Sequence, residues 1–440
     1  MRTERDIKRI DCVGNANNYV LLIAEALRSL GIDAHIHLTT GNTRDQPEML
    51  HPEYAAAYPE WIHDWRLNKE EMNLRSATET ERELQAALSP ADGLVLNYDG
   101  VALGALWARP FVCTLTGTDL YEFSTAQALK NSYYAQQANL FRYDNRQYQN
   151  LLVRTLRQRA AIRNACAFTF FPRGLLPKAD AILQDIGVRE DRRISLLLTD
   201  TNTQKYSPQP FRTEMHILYG ARLSWDIGAG DCYELDNKGT DIFLRAFARF
   251  IRDGGQARLR LFRVGARVAE AEALTRELRI EDRIDWSDPL PQHAFNAALG
   301  DADLVVDQTG TSHIGMAVVD AMAKGRPVLA KGPDPALWKL PEEVPLCNAS
   351  TEDEICAWLH SLSQDMPLRE RIGQAARLFV EKYCSTRIAA EKILDALRHA
   401  EQPDQEIWLW RQYEYTQMRE EAFAAQARQH IAAGILHDTK

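Results

Sequence analysis

Residues 303–330 read DLVVDQTGTSHIGMAVVDAMAKGRPVLA. A short apolar strand (DLVVDQ) enters a loop of small polar residues (TGTSH), an almost wholly apolar helix (GMAVVDAMA) follows, and PVLA reads as a second buried strand. The helix has one mid-helix charge, Asp320, set among Val318, Val319, Ala321 and Met322. An uncompensated carboxylate is expensive to bury there.

Upstream of this unit the same rhythm repeats. HILYGAR, RLRLFRVG and RIDWS read as strands, and TDIFLRAFARFI, VAEAEALTREL and PQHAFNAAL as the helices between them. Alternation of this kind predicts an α/β domain with a parallel sheet covered by helices on both faces. A second βαβ unit opens the chain: IKRIDCV, the turn GNANN, the helix YVLLIAEALRSL stopped by Gly31, then AHIHL. GLVLNY (93–98) and FVCTL (111–115) add strands, each ending in a Gly/Asp-bearing loop, and CAFTFF and ISLLL add two more. GNANN holds one glycine where a dinucleotide fingerprint needs three. The polar, proline-bearing TDTNTQKYSPQPFRTE suits a linker.

The expected architecture is therefore two doubly wound Rossmann-like domains facing across a cleft. The first spans 1–207, with an insertion at about 40–90 and a basic helical segment at about 124–163. The second spans 208–400, and a helical tail, 401–440, carries Trp408 and Trp410 and is expected to return to the first domain. A chain of 440 residues is long for one core, which agrees with two.

Net charge is −9, from 52 basic and 61 acidic residues, which disfavours a general nucleic-acid binder. No apolar run reaches the length of a membrane span, and MRTERDIKRI lacks the apolar core of a signal peptide, so the expected location is cytoplasmic. The seven cysteines (12, 113, 166, 232, 347, 356, 384) are scattered, without a CxxC or a His/Cys cluster at zinc-ligand spacing; they read as reduced core residues, and no metal is expected.

Ligands of open parallel sheets sit beyond the carboxyl ends of the strands. There, the helix from Ile314 starts straight after TGTSH, so its amides and positive dipole end suit a phosphate. Arg222 and Lys238 lie at strand-to-helix edges of the same sheet, where they and the helix start suit a diphosphate. Asp320 either accepts the hydroxyls of a ribose or sugar, or caps a neighbouring loop or pairs with an arginine.

The stretches ILYGARL, NKGTDIFLRAFARF and DADLVVDQTGTSHIGMAVVDAMAKGRPVLA resemble the C-terminal domain of the group 1 glycosyltransferases, retaining nucleotide-sugar enzymes of GT-B architecture. The family's pattern there is a Gly-Arg strand end, a Lys-Gly helix start and a segment of the form EGFGLVLLEAMAxGxPVV. The turn before YVLLIAEALRSL, the loop LTGTDL (115–120) and the linker TNTQKYSP resemble its Gly-rich first loop, HGSD-like loop and NGVDTxxFxP pattern. The resemblance implies that Arg222 and Lys238 hold the donor diphosphate, that Asp320 stands in the ribose-binding Glu position, and that Gly315 keeps backbone close to the donor. Gly14 and Asn15 would approach the phosphates from the other domain, with Ser312, His313 and Ile314 completing the donor side. Thr116, Asp119, Asn97 and Asp99 would face the acceptor.

There are departures from the pattern. The first Glu falls on Ser312, the following Gly on His313, the second Glu on the shorter Asp320 and the loop His on Thr116; the loop LSWDIGAGDCYELD is longer than usual. His313, at a helix start, is expected to be neutral. It either binds a donor-sugar hydroxyl or caps its loop, and Asp119 either binds a ligand or caps the helix that follows.

The implied reaction moves a sugar from a nucleoside-diphosphate sugar to a saccharide, lipid-linked or other hydroxyl acceptor, with retention, no divalent metal and no cofactor beyond the donor. Arg222, Lys238, Asp119 and His313 are the candidate catalytic residues. The rival readings are a sugar-nucleotide epimerase on the same frame and a non-catalytic nucleotide-sugar-binding protein. Independently of the family, residues 124–179 hold nine basic residues against one acid, with five interleaved tyrosines and phenylalanines from 133 to 148. That pattern fits peripheral contact with an anionic membrane, or arginine-bearing helices that pair with the acidic remainder.

Overall fold

The computed structural model describes residues 4–39, 42–65, 86–125, 145–196, 198–199, 210–226 and 236–401. Thirteen strands form two all-parallel sheets among these residues. The first contains β1 (Arg9–Val13), β2 (Asp33–Leu38), β3 (Ile62–Asp64), β4 (Gly93–Asn97), β5 (Phe111–Thr114), β6 (Ala167–Thr169) and β7 (Arg193–Ile194), in the order β3-β2-β1-β4-β5-β6-β7. The second contains β8 (Met215–Tyr219), β9 (Ala257–Phe262), β10 (Ile284–Ser287), β11 (Leu304–Val306), β12 (Val328–Ala330) and β13 (Cys347–Asn348), in the order β10-β9-β8-β11-β12-β13. In both sheets the strand order reverses beside the first strand of the domain, between β1 and β4 and between β8 and β11. Connections leave in opposite directions at these two places, so a crevice opens beyond the strand ends.

The first sheet is joined by helices α1 (Tyr19–Ser29), α2 (Thr118–Tyr121), α3 (Asn145–Asn164) and α4 (Pro177–Ile186). The second is joined by α5 (Thr240–Arg252), α6 (Val268–Glu277), α7 (Gln292–Asp301), α8 (Met316–Ala323) and α9 (Pro335–Trp338), and α10 (Glu352–Gln364), α11 (Met366–Tyr383) and α12 (Thr386–Arg398) follow. Helix α5 shows why these segments are helices: Phe243, Leu244, Phe247 and Phe250 recur at three- and four-residue spacing and are fully buried, while Arg245, Arg249 and Arg252 are exposed on the other face. Each such side chain contributes about 1.5–3 kcal/mol on burial. Helix α10 opens with a capping box in which Thr351 and Glu354 satisfy each other's backbone amides.

Three sequence expectations change. Residues 40–90 read as an insertion without period, yet Ile62–Asp64 within them forms the edge strand of the first sheet, with His37 opposite His63. A three-residue strand is too short to show an alternation. Among its described residues, ISLLL contributes to the sheet only at Ile194. Helix α12, expected with the second domain, packs on the first: Ala389, Ala390, Ile393, Leu394 and Leu397 join the core of α1 and β1. The chain crosses back beside the linker, where Thr199 N–H donates to Cys384 O and Thr386 N–H to Thr199 O. Residues 126–144 of the basic segment and the tail from 402 onward, with Trp408 and Trp410, lie outside the described residues.

Candidate functional site

The β8–β11 crevice holds most of the residues expected to grip the donor. Two loops build its floor. Thr309 N–H and Gly310 N–H both donate to Lys238 O, and Thr309 Oγ1 donates to Gly239 O. Gly239 has φ +67°, and a Cβ on it would lie 2.6 Å from Thr309 Oγ1, so only glycine lets the loops close. Lys238 is thereby drawn inward until it is 8% exposed. Its ammonium donates to Gln308 Oε1 at 2.6 Å. Burial lowers its pKa from 10.5 to about 8, against the pull of Asp307. Arg222 stays outside, its side chain 54% exposed and paired with Asp236.

Gln308 links Lys238 to His313. An ammonium only donates, so the Gln308 atom facing it is the carbonyl oxygen. The amide nitrogen therefore donates, to His313 O at 3.0 Å and to His313 Nε2 at 2.7 Å. With Nε2 accepting, the imidazole proton sits on Nδ1, which lies 2.9 Å from Thr311 Oγ1. His313 is 5% exposed, and burial, then the Lys238 charge, hold its pKa well below the usual value. The ring is neutral as expected, though burial is the main cause, where the sequence suggested the helix dipole. Ser312 Oγ donates to Gly332 O, Ile314 is buried in the core, and a Cβ on Gly315 would meet Asp307 Oδ2 at 2.9 Å. Glycine at 315 thus makes room for the Asp307 carboxylate, a role the sequence did not suggest.

Asp320 lies on α8 facing the interdomain crossing. It is 7% exposed, and its Oδ1 accepts from Thr199 Oγ1 at 2.8 Å. That bond is one of the readings the sequence left open, a contact with a neighbouring loop.

The first domain contributes the β1–β4 crevice. Gly14 has φ +84°, and a Cβ on it would stand 2.1 Å from Asn97 O, so the two strand ends touch through glycine. The Asn15 side chain donates to Asn18 Oδ1 and Asp45 O and accepts from Leu21 N–H. Asn97 accepts from Ala16 N–H and donates to Thr114 O. Both amides hold the loop's shape from within. Asp99 accepts from Thr39 Oγ1. The Asp119 carboxylate accepts from the amides of Thr116 and Gly117 and from Thr116 Oγ1, tying its own loop. Burial nevertheless raises its pKa to about 6, outweighing those bonds.

The carboxyl ends of the two sheets meet. Phe171, just beyond β6, lies edge-on to His313 with ring centroids 5.6 Å apart, Asn18 Nδ2 donates to Gln292 Oε1 at 3.0 Å, and His293 Nδ1 lies 3.1 Å from Met49 O. The loops that follow β1 and β6 thus come against the second domain near His313 and Gln292. A cavity of about 970 Å³, lined by Cys166, Arg192, Trp338 and Lys392 among others, lies behind β6 and β7 against α12. Strand polarity decides against it as the donor site. In the basic segment, Arg154 lies over the Phe123 ring and 4.0 Å from Asp99, and Arg159 bonds Asp185 and Ser124 O. These arginines are engaged within the fold. Among the described residues no helix is long and apolar enough to cross a membrane.

Sequence reasoning missed Gln308 and Asp307, the hub of the second crevice. The available signal was that a buried strand, LVV, ends in two consecutive polar residues before a glycine loop.

Comparison with known proteins agrees with this geometry. Residues 228–336 match the family model described as glycosyl transferases group 1. No curated protein matches the sequence. Among solved structures, Anabaena HepE in complex with UDP and glucose is similar with a TM-score of 0.57 and 15% identity, over 89% of this chain and 99% of that one. Sucrose-phosphate synthase from Thermosynechococcus elongatus gives 0.56 and 14% over 89% and 98%, and a glycosyltransferase from Rickettsia africae gives 0.59 and 12% over 89% and 98%. The chain therefore has the two-domain GT-B fold, and its second domain carries the group 1 glycosyltransferase signature across the segment that builds the Lys238 crevice.

Proposed function

We propose that this chain transfers a sugar from a nucleoside-diphosphate sugar to a hydroxyl acceptor, saccharide or lipid-linked, with retention at the anomeric carbon and without a divalent metal. The observation that carries the reading is Lys238, a buried ammonium held by Gln308 at the β8–β11 strand ends. Its partners, Gln308 and the more distant Asp307, leave it a desolvated cation in the β8–β11 crevice. A diphosphate matches that charge, and a leaving diphosphate is where charge develops in glycosyl transfer. Arg222, exposed at the rim, and the first-turn amides of α8 add to the same pole.

Asp320 supports ribose recognition if the ribose hydroxyls displace the Thr199 hydroxyl or share the carboxylate with it. Ser312 and His313 would face the donor sugar. His313, neutral with its proton on Nδ1, would assist by positioning and not by charge. Gly14 lets the first loop approach the diphosphate, and Asp119, at about 6, is the titratable group on the acceptor side. HepE, of the same fold, is seen with UDP and glucose, which makes uridine nucleotides the first donors to try. Thermal stabilisation by UDP, GDP and ADP, followed by turnover of the corresponding sugars with and without acceptor, tests the reading. A nucleotide that stabilises wild type but not Lys238→Ala, with donor consumed only when acceptor is present, is expected. Consumption of donor alone would establish the epimerase alternative, and absence of stabilisation by any nucleotide would refute donor binding.

A further inference from the structure

The opposite end of α5 from Lys238 carries a second group of reactive side chains. Asp253 is the C-cap of α5, and Cys356 and His360 stand four residues apart on α10, hence on one face of it. Helices α5 and α10 share a core: Phe250 and Cys356 are both buried in it, and the His360 ring lies edge-on to Phe250, centroids 5.0 Å apart. A carboxylate oxygen of Asp253, Cys356 Sγ and a His360 ring nitrogen all lie within 4.8 Å of one another. Among the described residues this is the one such group of three.

The spacing matters more than the proximity. His360 Nε2 is 3.7 Å from Asp253 Oδ2, too far for a hydrogen bond. In a tetrahedral zinc site with bonds of about 2.0–2.3 Å, ligand atoms stand roughly 3.3–3.8 Å apart. Asp253 also sits at the negative end of the α5 dipole, where a carboxylate is disfavoured and a cation is favoured. Cys356 is 3% exposed, whereas the side chains of Asp253 and His360 are 47% and 34% exposed, so sulfur forms the floor and oxygen and nitrogen the rim. A fourth ligand, water, would complete the set from the solvent side.

We propose that Asp253, Cys356 and His360 bind one divalent transition-metal ion of borderline softness, zinc foremost, at a site separate from the donor crevice. Thiolate, imidazole and carboxylate together suit zinc and not magnesium or calcium, which take oxygen. On binding, the ion replaces the thiol proton, which leaves to solvent, and sulfur donates its lone pair to the metal. Burial, with the charges of Asp253 and Asp353, disfavours the thiolate until an ion binds, and Arg249, paired with Asp353, offsets part of this. The thirteen residues of α5 place this site about 20 Å from Lys238, so the ion would pin the far end of the helix that begins at the donor crevice.

The test uses the full chain, stripped of metal by chelation and titrated with Co²⁺, then Zn²⁺, under reducing conditions. One equivalent of Co²⁺ is expected to give a thiolate-to-metal charge-transfer band that one equivalent of Zn²⁺ abolishes. Cys356→Ser is expected to lose the band. Because Cys356 is buried, His360→Gln and Asp253→Asn, at the partly exposed rim, serve as second variants; each is expected to weaken Co²⁺ binding about tenfold or more while leaving the circular dichroism unchanged. Absence of the band in wild type, or an unchanged titration in both rim variants, overturns the proposal. Retained donor-nucleotide stabilisation in the same variants shows that the crevice reading stands or falls separately.

Discussion

Replacing Lys238 by Met separates stability from function. In the fold its pKa falls from 10.5 to about 8, which corresponds to about 3 kcal/mol of disfavour for the charged form at neutral pH. For a base with a depressed folded pKa, the unfolded chain binds more protons between the two values. The penalty is therefore full below pH 8, and stability is regained as pH rises from about 8 towards 10.5. Methionine fills the same space without charge. It also strips Gln308 Oε1 of its donor, which costs about 1–3 kcal/mol. The net expectation is a gain of up to about 2 kcal/mol, and a 1 kcal/mol gain moves the melting temperature by about 2–4 °C in a domain of this size. Turnover should fall about a hundredfold or more, since the group facing the leaving diphosphate is gone. Calorimetry and a steady-state assay on one preparation read both quantities. In wild type, donor affinity should weaken about tenfold per pH unit above 8, because the bound diphosphate requires the protonated amine, and Lys238→Met should lose that slope. A variant that is destabilised by several kcal/mol yet turns over normally would refute the argument.

Gln308→Leu should cut turnover about tenfold and destabilise by about 1–3 kcal/mol, because Lys238 and His313 Nε2 both lose their partner; normal kinetics would show that the hub only supports the loop. Gly14→Ala places a Cβ 2.1 Å from Asn97 O at φ +84°, and urea titration should show a loss above about 2 kcal/mol; a neutral result would mean the two strand ends can part. For Asp119, raised to about 6 by burial, the folded chain binds more protons than the unfolded one between 3.8 and 6. The penalty on its charge therefore builds as pH rises from 3.8 to 6, is full above 6 and is relieved on acidification. Asp119→Asn should flatten the stability profile over that window, and an unchanged profile would place the titration elsewhere.

The fold was legible where apolar runs were long. β1, β8, β11 and their helices were read from period and turn chemistry alone, and both sheets have the parallel, doubly wound order that alternation predicts. β3 was not legible, because its three residues pair only by virtue of the neighbouring β2. Of the candidate site, the sequence marked residue types only, in Lys238, Arg222 and the loop before Ile314. Their partners were not legible. Gln308 binds Lys238 across 70 positions of sequence, and Thr199 binds Asp320 across 121. No local pattern encodes such pairs.

The amino-acid order alone determined the layers: hydrophobic period sets which segments are strand and helix, and glycine and charge at strand ends mark the face proposed to meet a ligand. Only the tertiary structure decided the chemistry of individual groups. Lys238 near 8, a neutral His313 protonated on Nδ1 and Asp119 near 6 all arise mainly from burial by residues distant in sequence. The Asp253, Cys356 and His360 cluster exists only because α5 and α10, separated by a hundred positions, lie against each other. Periodicity is a property of neighbours along the chain, whereas desolvation and ligand geometry belong to neighbours in space.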